Sequence, residues 1–173
     1  MNIRNIILCC CLLFLLSCSS SLENKNRYAA TVTRVLSGQT VEVRLTGKPD
    51  TIRVRVTGID APDWRQTPWG DTAKEKLKEL VMNQTIAIET DNTDNLVQDH
   101  HNRIRGHLWQ GDILVSQELL KSGCVLMNDR TPHSYSMLLR SAQEYARLMG
   151  YGIWNPQQPM RYTPSQFRSL NPQ

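Results

Sequence analysis

Between Thr31 and Ile59 apolar and polar residues alternate in three successive runs. Thr31 to Leu36 leads into the turn Ser37-Gly38-Gln39. Thr40 to Leu45 sets Val41, Val43 and Leu45 against Glu42 and Arg44. After Gly47-Lys48-Pro49-Asp50, Ile52 to Ile59 sets Ile52, Val54 and Val56 against Arg53, Arg55 and Thr57. A period of two, broken by tight turns, predicts three strands in a meander. From Pro68 to Met82 the period lengthens: Ala73, Leu77, Leu80 and Val81 fall at helical spacing among Lys74, Lys76, Lys78 and Glu79. That is an amphipathic helix, and its lysines are expected to form a solvated face. Gln84 to Glu89 and Ile104 to Trp109 read as two further strands, separated by the polar stretch Asp91 to His101. Ile113 to Lys121 and Ser134 to Leu148 read as two more helices, and the Pro- and Gln-rich chain from Pro156 as a loose tail. The predicted fold class is α+β: a five-stranded Greek-key barrel of the OB type with three packed helices.

The N-terminal pattern differs. After Arg4, Ile6 to Leu16 is an unbroken apolar run of eleven residues. It is too short to span a bilayer as a helix and has the length of a signal-peptide core. Leu15-Leu16-Ser17-Cys18 follows and resembles a bacterial lipobox, in which Cys18 is lipidated. A secretory signal cut near Ser17 to Ser20 is the other reading. The expected organisation is a signal peptide over 1–17, a polar tether over 18–27, a folded domain over 28–156 and a flexible tail over 157–173. Lipidation would anchor the protein outside the cytoplasm on a membrane that it does not span. Ser19 resembles the sorting pattern for an outer membrane, in a cell that has one.

Composition narrows the picture little. In 173 residues, 40% are hydrophobic and 21% charged, which describes a globular domain and excludes a coiled-coil rod or a multi-pass membrane protein. A formal charge of +4 permits contact with phosphate but does not demand it. Aromatic residues make up only 6%, too few for a broad stacking platform. Trp64, Trp69 and Trp109 are accordingly expected in packing. Four of the five cysteines lie at or before Cys18; Cys124, in an apolar stretch, is expected to be buried and free. No Cys/His cluster has zinc-site spacing.

Four segments then fall in order: Thr33 to Val41; Arg55-Val56-Thr57-Gly58-Ile59-Asp60-Ala61-Pro62-Asp63; Asp99-His100-His101-Asn102-Arg103; and Gly150-Tyr151-Gly152-Ile153-Trp154. Together with Pro68-Trp69-Gly70 and Ala73 they resemble a thermonuclease-type, staphylococcal-nuclease-like domain over residues 28–156. The resemblance implies a metal-dependent phosphodiesterase acting on DNA or RNA, working as a monomer. It implies that Arg55 and Arg103 hold the scissile phosphate, a task suited to a guanidinium, which stays charged and can bond two oxygens at once. It implies that Asp63 stands where the family's general base, a glutamate, would be. It places calcium on Asp60, on the backbone carbonyl of Ala61 and on the position of Gln39.

Two replacements bear on activity. Gln39 is a neutral amide where the family has a carboxylate, and calcium affinity rises with ligand charge, so the metal site is expected to be weakened. Asp63 is one methylene shorter than glutamate, and a base must come within about 3 Å of its proton. His100 and His101 stand where the family has other residues; they are either solvated or near metal or phosphate. Taken without the resemblance, Arg55 reads as a solvent-facing strand residue, Arg103 as a partner of Asp99, and Asp60 as a turn-former. The functional expectation is a membrane-anchored nuclease impaired at these two positions. The alternatives are a nucleic-acid-binding lipoprotein without catalysis, or a structural envelope protein that keeps only the fold.

Overall fold

A computed structural model describes residues 27–90, 98–130 and 133–172. The predicted signal peptide, Cys18 and nearly all of the tether lie outside the described residues. Strand β1 (Arg27–Ser37) is longer than the alternation suggested. Irregularities at Thr33 and Leu36 let it serve two neighbours: residues 27–31 pair with β5 (Thr85–Glu89), and residues 30–37 with β2 (Thr40–Leu45). Strand β2 pairs in turn with β3 (Thr51–Val56), and β5 with β6 (Arg103–Gln110). The barrel closes where β3 and β6 run parallel, with Arg53 opposite Arg103 and Arg55 opposite Arg105. The result is the expected five-stranded OB-type barrel in an α+β fold. Val41, Val43, Val54, Ile88 and Leu108 fill its interior and are fully buried.

The predicted third strand splits. Gly58 has φ 81°, which ends β3 and lets the chain restart as β4 (Ile59–Asp60). Strand β4 pairs with β8 (Leu126–Met127), away from the barrel sheet, so Asp60 leaves the meander just beyond its end. Helix α1 (Trp69–Val81) buries Gly70, Ala73, Leu77 and Val81 on one stripe and packs against β1. Burying a side chain such as Leu77 stabilises the fold by roughly 1.5–3 kcal/mol. A short β7 (Ile113–Leu114) precedes α2 (Val115–Lys121), which packs against α3 (Ser136–Met149). Cys124 is buried and free.

The end of the chain departs from the loose tail expected of it. After a single 3-10 turn (Gly152–Trp154), residues Pro164–Leu170 form helix α4, so the described residues hold four α-helices rather than three. The Thr163 side chain accepts from the Gln166 amide and the Gln166 side chain accepts from the Thr163 amide, a reciprocal cap that starts the helix. The buried side chain of Gln66 holds this segment to the barrel by donating to the Tyr162 carbonyl at 3.0 Å.

Candidate phosphate-binding site

Residue alternation on β3 places Val54 and Val56 inside the barrel and Arg53 and Arg55 outside it. The parallel closure does the same on β6: Ile104 is buried, while Arg103 and Arg105 share the outer face with their β3 partners. Two strands distant in sequence therefore bring four guanidiniums to one face. Arg53 is paired away from the others, because it shares Glu42 with Arg34. Arg55 is the most enclosed of the four, with its side chain 14% exposed. It donates to the carbonyls of Ile59 at 3.0 Å and Val56 at 3.3 Å, and its Nη2 lies 3.6 Å from Asp60. Burial pushes its pKa down to about 10; Asp60 opposes the shift, and the neighbouring charges of Arg103, Arg105 and Arg168 add to it. A buried cation crowded by three others favours an anion.

Arg103 donates through Nε and Nη2 to Asp99 Oδ2, at 3.1 and 2.8 Å. The partner reading of Arg103 therefore holds: Asp99 fixes the guanidinium at the strand entrance. Asp99 Oδ1 also accepts the backbone amides of His101 and Arg103. Burial raises the Asp99 pKa, but these hydrogen bonds outweigh it and hold the carboxyl at about 2. His100 and His101 are exposed and lie against each other, with ring centroids 4.5 Å apart. Arg105 is exposed and makes no ion pair among the described residues.

The acidic residues are engaged in ways the motif did not reveal. Asp60 faces Arg168 on α4, whose Nη2 donates to both carboxylate oxygens at 2.9 Å. Asp63 is clasped by Arg65: Nε reaches Oδ1 at 2.9 Å, Nη2 reaches Oδ2 at 3.2 Å, and the Arg65 amide also donates to Oδ1. Those hydrogen bonds from Arg65 lower the Asp63 pKa, and the carboxylate is only 6% exposed. A carboxylate so held is a weak base. Gln39 turns its carbonyl oxygen onto the Ala61 amide at 2.6 Å, so its role is to pin the turn after β4. Gly38 makes this possible, because a Cβ there would meet the Cβ of Ala73 at 2.5 Å and that of Ala61 at 3.0 Å.

This donor set does not suit calcium. Calcium takes six to eight oxygens. Here Asp60 accepts from a guanidinium on both oxygens, the Gln39 oxygen is committed to Ala61, and Asp63 is committed to Arg65. Among the described residues no three His, Cys, Asp or Glu side chains gather where they would hold a metal ion.

Beside these residues lies an open cleft of about 440 Å³, lined among others by Gln39, Asp63, Trp64, Lys74 and Arg168. Trp109 packs as expected, beneath Arg27 and edge-on to Tyr135. Trp64 does not: it is 70% exposed at the cleft. Lys74 is half-buried at the cleft wall, whereas Lys76 and Lys78 pair with Glu79 and Glu75 on the helix surface.

Sequence reasoning missed Arg65, Arg105 and Arg168. Arg105 had a signal, since it stands two residues beyond Arg103 on the same face of a strand. Arg65 had a weaker one in its closeness to Asp63. Arg168 had none, because it is more than a hundred residues from Asp60.

Comparison with known proteins bears on the same segments. A thermonuclease of Staphylococcus hyicus is 27% identical over 143 residues, covering 79% of this chain and 82% of its own. An uncharacterised endonuclease of Haemophilus influenzae is 27% identical over 165 residues, 95% of this chain and 85% of its own. Endonuclease YncB of Bacillus subtilis is 29% identical over 108 residues, 60% of this chain but only 49% of its own. The model of the family described as "staphylococcal nuclease homologue" matches residues 53–156, which run from β3 through the arginines of β6 to the 3-10 turn. With more than half its length matched, the chain belongs to the staphylococcal nuclease homologue family.

Proposed function

We propose that this protein is a nuclease that hydrolyses phosphodiester bonds of nucleic acid, and that its turnover is slow. The observation that carries the reading is Arg55: an enclosed guanidinium, its pKa pushed down to about 10, on the same barrel face as Arg103 and Arg105. A phosphate seated there relieves the crowding of like charge. As water adds to phosphorus and the ester P–O bond breaks, negative charge builds on the phosphoryl oxygens, where Arg55 and Arg103 stabilise it. Electrostatic stabilisation of this kind is commonly the largest catalytic term. The attacking water gives up a proton to solvent, and the leaving alkoxide takes one from it. Asp63 orients the attacking water with what acceptor capacity Arg65 leaves it. Its depressed pKa makes it a poor proton acceptor, and this is the reason for slow turnover. No step is assigned to calcium, because the oxygens that would hold it are engaged. Trp64, exposed at the cleft wall, offers a stacking face to an unpaired base.

The clasp of Arg65 on Asp63 also favours a second reading, a module that binds nucleic acid without cleaving it. One assay separates the two. Purified protein and its Arg55→Ala variant are incubated with labelled single- and double-stranded DNA and with RNA. Cleavage that falls at least 100-fold in the variant, with the fold intact by circular dichroism, supports the nuclease. Binding without cleavage by the wild type supports the module. Cleavage unchanged by Arg55→Ala refutes the assignment of the site.

The same proposal places the protein outside the cytoplasm, tethered through lipid on Cys18. The support is the apolar run followed by Leu-Leu-Ser-Cys. Metabolic labelling with a radioactive fatty acid should mark the wild type and not Cys18→Ala; equal labelling of both would reject the anchor.

A further inference from the structure

Arg168 reaches the barrel from α4, beyond the segment that the family model matches, and lays Nη2 against both oxygens of Asp60 at 2.9 Å. Three further observations define its setting. Gln66 and Arg65 both hold the segment that carries it: Gln66 donates to the Tyr162 carbonyl, and the Arg65 guanidinium lies 5.7 Å from the Phe167 ring centroid. Arg168 lines the cleft and is 40% exposed, and among the described residues its Nε and Nη1 make no hydrogen bond. Lastly, it is close enough to Arg55 for its charge to bear on that residue. A guanidinium carries five N–H donors. Two serve Asp60 and three remain, on a side chain that lines the cleft and shares Asp60 with Arg55.

We propose that Arg168 stands in the place of the divalent cation: it neutralises Asp60 and presents its remaining donors to a phosphodiester, so that the site binds nucleic acid without metal. This rests on the phosphodiester reading above and gives that site its fourth guanidinium. Arg55, Arg103, Arg105 and Arg168 then face Asp60 and Asp99, leaving two positive charges in excess. A metal ion would have to displace the guanidinium from Asp60 and find other oxygens, since Gln39 supplies no charge and its carbonyl is in use. The guanidinium, by contrast, is covalently part of the chain and needs no uptake from solution.

The test uses the full chain stripped with EDTA, in two titrations at fixed ionic strength. Calorimetry with calcium chloride uses no nucleic acid. Fluorescence anisotropy follows a labelled single-stranded oligonucleotide in EDTA and again in calcium. The wild type should show no calcium binding below millimolar concentration and the same oligonucleotide affinity in both media. Arg168→Ala should lose ~10-fold in oligonucleotide affinity in EDTA, as the loss of a charged hydrogen-bonding partner implies. It should also acquire measurable calcium binding through the freed Asp60, with calcium restoring part of the lost affinity. Arg168→Lys, the milder change, should still exclude calcium and lose only a few-fold in affinity, and it serves if the alanine variant does not fold. Micromolar calcium binding by the wild type would overturn the proposal. So would an Arg168→Ala variant that binds the oligonucleotide in EDTA as tightly as the wild type. If the wild type binds no oligonucleotide even at low salt, the phosphodiester reading fails as a whole. The calcium titration then still decides whether Arg168 occupies the cation's place.

Discussion

Asp63 shows what a motif conveys and what it leaves out. Its position after Gly-Ile-Asp-Ala-Pro marked it as the acidic residue nearest the reaction, and the structure sets it on the cleft. Its basicity is set by Arg65, two residues on, which the motif does not include. Arg65→Ala removes the side-chain hydrogen bonds that lower the Asp63 pKa most and leaves the backbone one, so that pKa should rise towards the ordinary carboxylate value of 3.8. Cleavage should then increase, by up to ~10-fold if basicity limits the step. A pH–rate profile whose acid limb moves upward in the variant checks the cause. Equal rates in both proteins would show that Asp63 takes no part in activating water. Gly38 is the opposite case, because the reason for glycine there lies only in three dimensions. Gly38→Ala drives a methyl into Ala73 and Ala61 and should cost about 1–3 kcal/mol, read as a lowered midpoint in urea. Trp64 is exposed although the low aromatic content argued for packing, because no signal in the sequence marks it as facing the cleft.

Strands and helices were most legible where burial followed a single period. Alternation found β2 to the residue, and helical spacing found α1, whose buried stripe holds Ala73, Leu77 and Val81 as predicted, with Leu80 half-buried at its edge. It failed where another constraint ended the element. Gly58 at φ 81° cut the third strand short, and the pairing with β5 extended β1 back to Arg27. Helix α4 was hidden by composition: Thr163-Pro-Ser-Gln166 is a capping box, but it lies in a Pro- and Gln-rich stretch with little apolar periodicity. The turn that opens β6 shows a local sequence fixing both an element and a site. Asp99 caps it through two backbone amides and holds Arg103 in the same contact. Because its folded pKa, about 2, lies below its ordinary 3.8, the ionised carboxylate stabilises the fold above pH 4. That contribution should fade as pH falls from about 4 to about 2. Asp99→Asn should lower stability at pH 7 by about 1–3 kcal/mol and flatten the pH dependence across that window. Thermal melts of both proteins between pH 2 and 7 provide the check, and parallel curves would show that Asp99 is not the group responsible.

Over the whole chain the formal charge is only +4, too modest to draw nucleic acid to every face. Part of the surface charge cancels locally: Glu42 offsets one of the two charges of Arg34 and Arg53, and Glu79 and Glu75 offset Lys76 and Lys78. A cluster of four guanidiniums against two carboxylates lies where β3 meets β6 and where α4 returns to the barrel. This is a property of topology: Arg55, Arg105 and Arg168 are separated in sequence by fifty residues or more and come together through barrel closure and a docked C-terminal segment. Binding should therefore depend on salt through a few contacts. For single strands the logarithm of affinity falls with the logarithm of salt at roughly 0.7 per phosphate neutralised. Two to four engaged phosphates give a slope of roughly −1.4 to −2.8. Arg105 is exposed and without an ion pair among the described residues, and α1 and the barrel core do not depend on it. Arg105→Ala should thus leave the melting temperature unchanged and reduce the magnitude of the slope by about 0.7. Titration of a labelled oligonucleotide between 50 and 200 mM salt measures this directly. An unchanged slope would mean that the phosphate track runs past the cleft along Lys74 and not over the outer face of β6.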